Sequence, residues 1–387
     1  MNSHDFDVII CGGGPGGSTC ALAFAGTNIR VAVIEKSNFP REKVCGDGIA
    51  AYVPKALNLI SPDFKTAFDN FSHKFEITHV GVYGFNGNTA HVPFPEPWFI
   101  APRFEFDNFL YNTASTLNNV TYFLEEQVQT IVIENEGVIV STNNNKIFTS
   151  KMVIGADGAT SAVRKNLTDY KINPAHHCAA VRAYFNGVKD VDGHTYEIHF
   201  VKKYPNGYFW IFPSTDNLVN IGFGLLSDEI SQRKLKLREV LLEIIEESPT
   251  LKKRFSNATL VSDIKGWSIP MGYDKYAISG NRFMLIGDAA SLADPSTGEG
   301  IGQAMVSGRI AAFHAKECFS ENDFSSQKMK SYDEEIHEKF GRFHKKRLFL
   351  SRWLLKNKWL LNYIIYLLNS GKKISHFTWK IVNKLSS

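Results

Sequence analysis

The sequence predicts an α/β fold: a parallel-sheet unit assembled from separate stretches of chain, a second β-sheet inserted between them, and a helical C-terminal region. Three observations predict it. Short apolar runs at 8–11, 31–34, 152–154 and 283–286 read as buried parallel strands, and each ends at a glycine or an acid. Stretches 71–99 and 175–270 carry the turn-punctuated pattern of shorter, mostly antiparallel strands. From residue 301 the pattern is helical.

The first element sets the frame. Asp7-Val8-Ile9-Ile10-Cys11-Gly12-Gly13-Gly14-Pro15-Gly16-Gly17 reads as strand, glycine turn and helix start, with a small-residue helix at 18–25. Val31-Ala32-Val33-Ile34-Glu35 follows as a second strand closed by an acid. This order holds a dinucleotide pyrophosphate. Gly12 permits the tight turn, Gly14 lets backbone approach the phosphates, and Gly17 lets the helix pack on the strand. Pro15 and Gly16 stand at the helix N-terminus, whose N–H groups face the phosphates. Glu35 accepts from a ribose diol.

A loop at 36–48 then carries Lys36, Pro40, Arg41, Lys43, Cys45, Gly46 and Gly48. Strands are predicted at 77–83 and 89–92 around the Asn86-Gly87-Asn88 turn, and Pro93, Pro95 and Pro97 are expected to break regular structure before Trp98. Arg103 opens a helix at 104–117. A short strand at 120–123 and a meander at 128–134, 138–142 and 146–149 precede the apolar strand that enters Gly155-Ala156-Asp157-Gly158. Strands follow at 179–186, 196–201, 207–212 and 218–224, then a charged helix at 231–247. The strand Phe283-Met284-Leu285-Ile286 meets Gly287-Asp288-Ala289-Ala290, and a glycine loop opens a long helix at 301–318. The expected organisation is discontinuous. Segments 1–70, 100–174 and 271–330 build the nucleotide unit, 71–99 and 175–270 a substrate sheet, and 331–387 a helical region.

At 387 residues the chain is long enough for two or three units and a substantial core. Its 29 Phe residues suit a large apolar cavity as well as that core. Residues 1–6 are polar and run into the first strand, so no targeting signal is expected. No run approaches the ~18 uninterrupted apolar residues of a membrane span. The five cysteines include no CxxC pair, which points to a reducing cytoplasm without structural zinc or a disulfide framework. The twelve histidines show no metal-ligand spacing. Charge is segregated: from Arg342 onward there are eleven Lys and Arg and no acid, so that segment sums to +11 and residues 1–341 to −7.

Asp157 and Asp288 each lie at the carboxyl end of a parallel strand, where open α/β sheets bind ligands. Asp288 accepts from polyol hydroxyls. Pro295, Gly298, Gly300 and Ile301 shape a loop that offers backbone N–H groups at a helix N-terminus to an electron-rich ring edge. Taken together, GGGPGG with Glu35, GADGATSAVR at 155–164, and GDAA with the downstream P-x-x-G-E-G-I resemble the FAD-binding set of the glutathione-reductase-type flavoproteins, in the branch containing p-hydroxybenzoate hydroxylase. The resemblance implies a Rossmann-like FAD-binding domain, with Asp157 and Gly158 supporting the flavin.

A narrower resemblance is to the geranylgeranyl reductase family, over about residues 5–320. It is carried by Arg41-x-Lys43-x-Cys45-Gly46 and by Tyr208-Phe209-Trp210-Ile211-Phe212-Pro213 with Gly222-Phe223-Gly224. Tyr208, Trp210 and Phe212 share one strand face and make an aromatic wall for an unsaturated chain. The resemblance places the Cys45 thiol near the flavin, where it shapes the pocket or assists protonation; a free cysteine is also commonly a small buried side chain. Arg41 and Lys43 reach the pyrophosphate or the reduced flavin, or remain solvated loop charges. Arg103 resembles the family's flavin-contacting arginine.

The resulting expectation is an FAD-dependent oxidoreductase that saturates C=C bonds of a polyprenyl lipid, quinone or pigment tail by hydride transfer, with NAD(P)H or another donor acting transiently because no second GxGxxG unit follows. The alternatives are an FAD monooxygenase on an aromatic or polyketide substrate and a membrane-associated electron relay. Flavin halogenases carry Trp-x-Trp-x-Ile-Pro at the equivalent strand, whereas Tyr208 and Phe212 stand here, which disfavours halogenation. In the basic segment, Lys and Arg interleave with Trp353, Trp359 and Tyr363, as in a helix at an anionic bilayer surface, or in a helical cap with a solvated basic face. No nucleic-acid module accompanies these charges.

Overall fold

The computed structural model describes residues 5–272 and 276–369. Residues 370–387, the end of the predicted C-terminal region, lie outside the described residues, as do 1–4.

The first sheet has six strands in the order Ser279–Gly280, Phe283–Leu285, Met152–Gly155, Val8–Cys11, Val31–Ile34, Val120–Phe123. The last five run parallel. The three central strands are buried along their whole length, so continuous apolar runs rather than alternating ones were selected there. Helix Pro15–Leu22 packs on helix Ile301–Glu321 at backbone contact: a Cβ on Gly308 would stand 2.4 Å from the Gly16 carbonyl oxygen. A separate meander, Val128–Ile133, Val138–Thr142 and Ile147–Ser150, adjoins this unit.

The second sheet has nine strands. Its path runs Thr259–Leu260, His177–Asn186, Leu218–Leu226, Tyr204–Pro213, Thr195–Val201, Phe75–Tyr83, Thr89–Ile100, Gly48–Ile49, and Lys265–Pro270 pairs with His177–Asn186. Thr195–Val201 runs parallel to Phe75–Tyr83; the other pairs are antiparallel. One face, with Val181, Phe185, Phe209, Ile211, Ile221 and Phe223, packs on Val240, Leu241, Ile244 and Leu251. Period-two alternation sends Tyr208, Trp210 and Phe212 to the other face.

Several elements differ from expectation. Thr89–Ile100 is one strand through all three prolines. Its pairing with Phe75–Tyr83 jumps from His79↔Pro93 to Ile77↔Trp98, so Pro95 and Pro97 fall in a stretch outside the ladder where their missing N–H groups are not needed, while Pro93 stays paired. The charged helix at 231–247 is two helices, Ser227–Arg233 and Leu237–Glu247, separated where Lys234 adopts φ 51°. Helices Val53–Asn58 and Pro62–Asp69 and the strand Lys265–Pro270 were not anticipated. At the C-terminal side, helices Ser326–Ile336, Arg342–Lys356 and Lys358–Asn369 follow in order, and Leu361 and Ile365 bury against Ile77, Val80, Val92 and Tyr196.

Candidate active site

A cavity of about 950 Å³ runs between the two sheets. Every residue singled out from the sequence for the site lines it except Gly17. Gly17, read from the sequence as the glycine that lets the helix pack, sits at that contact: its Cβ would fall 1.9 Å from the Gly12 carbonyl oxygen.

At one end lies the glycine turn. Gly12 has φ 103° and no room for a side chain, since a Cβ would stand 2.4 Å from the Ala156 oxygen. Gly14, by contrast, faces open space, with only the Arg41 Nη2 within contact distance at 3.5 Å. The N–H groups of Gly14, Gly16 and Gly17 meet no protein acceptor among the described residues. Arg41 lies over this turn. It pairs through Nη1 with Asp107 at 3.1 Å, and its buried Nε ion-pairs with Glu35 at 3.6 Å, beyond hydrogen-bond distance. Glu35 accepts from the Gly13 N–H at 2.8 Å and the Ser37 N–H at 3.1 Å, so the acid fastens its own loop as well as facing the cavity. Lys36 lies beside it on the cavity wall. Arg103 makes a bidentate pair with Asp107, at 2.5 and 2.7 Å.

The second acid, Asp157, caps helix Ala162–Leu167 through Oδ2, which accepts from the N–H groups of Ala162 and Val163 at 2.6 and 3.2 Å. Its Oδ1 is buried without a partner. Burial pushes the Asp157 carboxyl up, against the lowering effect of the Ser161 hydroxyl and those N–H donors. Gly158, at φ 75°, turns the chain beside it. The Asp288 carboxylate accepts from no protein donor among the described residues and faces Gly300. In the loop Asp294–Gly300, Asp294 accepts from Ser296 and Thr297, and the Gly298 N–H bonds the Asp294 carbonyl. The N–H groups of Gly300 and Ile301 meet no protein acceptor among the described residues. Thus only part of the predicted N–H array is available; the rest holds the loop. Pro295 lines the same loop. Glu299 accepts from Tyr52 at 2.9 Å and the Gly302 N–H at 2.7 Å, and burial pushes its carboxyl up to about 7.

The aromatic wall joins the two sheets. Tyr208 donates to the Thr297 carbonyl at 2.5 Å. Trp210 and Phe212 stack with ring centroids 6.0 Å apart, and the Cys45-Gly46 turn lies against them: a Cβ on Gly46 would stand 3.2 Å from the Phe212 ring. A buried network that the sequence reading missed ties these parts together. The Trp210 Nε1–H donates to Asn220 Oδ1 at 3.0 Å; the Asn220 amide donates to the Cys45 carbonyl at 2.9 Å and to Asp47 at 2.8 Å; Tyr184 also donates to Asp47. Asp47 is fully buried with φ 63°. Its signal was an acid between two turn glycines, and that of Asn220 a lone amide in an apolar strand. Burial pushes the Cys45 thiol up, which favours the neutral thiol over the thiolate. Lys43 sets its Nζ 3.2 Å from the centroid of Trp267, and burial with Arg103 nearby draws it down to about 7. The far end of the cavity is oily, with Val80, Phe94, Trp98, Ile198, Phe200 and the leucines 354, 355 and 361.

The open N–H groups, the buried Asp157 Oδ1 without a hydrogen-bond partner, and a cavity of this volume lined from Gly14 to Asp288 fit a flavin dinucleotide. Among the described residues no His, Cys, Asp and Glu group could hold a metal ion. Fold and site thus define an FAD-binding oxidoreductase. The chain matches the FAD binding domain family over residues 5–337. It is 30% identical over 365 residues to a digeranylgeranylglycerophospholipid reductase of Thermoplasma volcanium, covering 91% of this chain and 87% of that one. Its structure matches a geranylgeranyl bacteriochlorophyll reductase-like protein from Thermoplasma acidophilum with a TM-score of 0.80 at 28% identity, over 95% of this chain and 92% of the other. A myxobacterial chondrochloren halogenase shares the fold, with a TM-score of 0.73 at 21% identity over 88% and 81% of the two chains. The chain belongs to the geranylgeranyl reductase family of FAD-dependent oxidoreductases.

Proposed function

We propose that this protein reduces carbon–carbon double bonds in the polyprenyl chain of a lipid, quinone or pigment, with NAD(P)H or a separate carrier protein as the transient electron donor. The observation that carries this reading is the continuity of one cavity from Gly14 and Asp157, past Cys45, Trp210 and Asp288, to the oily end at Val80, Phe94 and Leu361. An electron relay needs no such chamber. Relatives named for reduction of digeranylgeranylglycerophospholipid support it. Bound FAD, once reduced, supplies hydride.

The chain's residues do the rest. In this reading Gly12, Gly14, Pro15, Gly16 and Arg41 hold the pyrophosphate, Glu35 and Lys36 the adenosine side, and Arg103, Asp157, Gly158, Asp288 and the 295–301 loop the remainder of the cofactor. Tyr208, Trp210 and Phe212 orient the unsaturated chain. Cys45 shapes the junction as a thiol, with Gly46 allowing its close approach. Segments 1–70, 100–174 and 271–330 serve as the FAD unit, 71–99 and 175–270 as the substrate unit, and 331–387 as the C-terminal helical region. No helix among the described residues is long and apolar enough to cross a membrane; the reading places the protein in the cytoplasm, touching the membrane peripherally through its basic C-terminal region. The test is mass spectrometry of isoprenoid lipids from cells with and without the gene, paired with anaerobic turnover of the purified flavoprotein. Species heavier by two-hydrogen steps are expected. An added oxygen, with oxygen uptake coupled to NAD(P)H oxidation, would overturn the reading in favour of a monooxygenase.

A further inference from the structure

Helices Arg342–Lys356 and Lys358–Asn369 have two unlike faces. On the inner face Leu348 is buried, Leu354 and Leu355 line the cavity, and Leu361 and Ile365 seat on the second sheet. The outer face carries Phe349, Trp353, Trp359, Tyr363 and Tyr366, which are 74%, 46%, 71%, 51% and 57% exposed. Their three- and four-residue spacing keeps the members of each helix on one side. Lys345, Lys346 and Lys356 are exposed at the same spacing from Phe349 and Trp353. There is no acid anywhere from Arg342 to Asn369. Only one side-chain layer therefore separates an aromatic, uniformly basic surface from the substrate cavity.

We propose that this outer face docks on an anionic lipid bilayer and that the polyprenyl chain passes from the bilayer into the cavity beside Leu354, Leu355 and Leu361. The second clause rests on the reading of the site as a polyprenyl reductase; the first does not. Tryptophan and tyrosine partition to the headgroup level of a bilayer, and lysines among them meet anionic headgroups. The core of a protein–protein interface is depleted in lysine, whereas here the lysines alternate with the aromatic rings. A chain already in the lipid phase then reaches the cavity without crossing water.

The test uses the full-length, FAD-loaded protein and co-sedimentation with vesicles of phosphatidylcholine alone or mixed with phosphatidylglycerol. Binding is expected to the mixed vesicles, weaker by about tenfold or more on neutral ones, and to fall as salt rises. A Phe349→Ser/Trp353→Ser/Trp359→Ser variant loses binding, and so does Lys345→Glu/Lys346→Glu/Lys356→Glu. Flavin absorbance and thermal midpoint show that both remain folded. Both variants keep turnover on a detergent-dispersed polyprenyl substrate and lose it on the same substrate embedded in mixed vesicles. Wild-type protein left in the supernatant, or an aromatic variant that sediments like wild type, overturns the proposal. Sedimentation velocity showing self-association through this face, abolished by the aromatic variant, assigns the surface to a second copy and also overturns it. Vesicle binding with no change in lipid saturation overturns the reductase reading alone.

Discussion

The Trp210 indole fills the space above Gly222. A Cβ on Gly222 would lie 2.0 Å from the indole Cζ2 and 2.4 Å from Cη2, and the two residues are direct cross-strand partners. Gly224, opposite Tyr208, leaves room beside the same ring, 3.9 Å from its Cζ3. The Gly-x-Gly of this strand is therefore the imprint of the aromatic wall on its neighbour. Gly222→Val should drive the indole into the cavity. Flavin retention, read from visible absorbance, stays near wild type, while turnover falls on the order of 100-fold, the scale of a displacement of about 1 Å at a reacting geometry. Trp210→Ala should also keep flavin and lose turnover. Full activity in either variant would remove the wall from the substrate site.

Two glycines of the first turn separate cofactor binding from folding. Gly14 has space for a side chain in the free protein, whereas at Gly17 a Cβ would collide with the backbone of Gly12. Gly14→Val should fold with a thermal midpoint close to that of wild-type apoprotein yet fail to retain FAD, because the added methyl groups occupy the approach to the open N–H groups. Gly17→Ala should instead lower stability by about 2 kcal/mol or more through forced separation of helix and strand. Equal effects of the two substitutions on apoprotein stability would contradict this division of roles.

The nucleotide-binding elements were legible because their physics is local. Glycines at Gly12, Gly14 and Gly17, apolar four-residue strands and terminal acids recur at short spacing, and one strand alternation suffices to put Tyr208, Trp210 and Phe212 together. What stayed hidden depends on long-range pairing. Asp47 meets Tyr184 and Asn220 across 137 and 173 residues, and Trp267 meets Lys43 across the junction of the two sheets. The proline strand misled because proline was read as a terminator, whereas the ladder takes in Pro93, skips Pro95 and Pro97 and resumes at Trp98. The apolar residues of the last helices showed in the sequence, but not which of them turn inward to the cavity.

The Asn220 side chain uses all of its cavity-side capacity: it accepts from Trp210 and donates to Cys45 and Asp47. Burial pushes the Asp47 carboxyl up, and the donors from Tyr184 and Asn220 pull against that shift. Asn220→Leu removes one of them and leaves the Trp210 Nε1–H and the Cys45 carbonyl unpaired. The expected loss is about 2 kcal/mol, the usual cost of stranding buried polar groups. Denaturant titration of the apoprotein measures it. Tyr184→Phe should cost about 1 kcal/mol by the same argument. An unchanged midpoint in Asn220→Leu would show that the network does not hold the Cys45 turn.

Lys43 supplies a pH-dependent charge to the centre of the site. Burial draws its ammonium down to about 7, Arg103 pushes in the same direction, and Asp288 opposes them. The group is thus cationic below about pH 7 and neutral above it. In the unfolded chain lysine titrates near ~10.4, so between these limits the unfolded state binds the extra proton and folding stability gained at this site rises with pH. Lys43→Met should therefore stabilise the apoprotein most below pH 7, with the advantage shrinking as pH climbs. The bound flavin should respond in the opposite sense. A buried cation favours the more negative, reduced cofactor, so the wild-type midpoint potential should exceed that of Lys43→Met below pH 7 by on the order of 30 mV, the equivalent of ~1.4 kcal/mol for two electrons. That gap should close as pH rises past about 8. Spectroelectrochemistry of both proteins across this range decides the matter, and a gap that stays constant with pH would show that Lys43 does not titrate there.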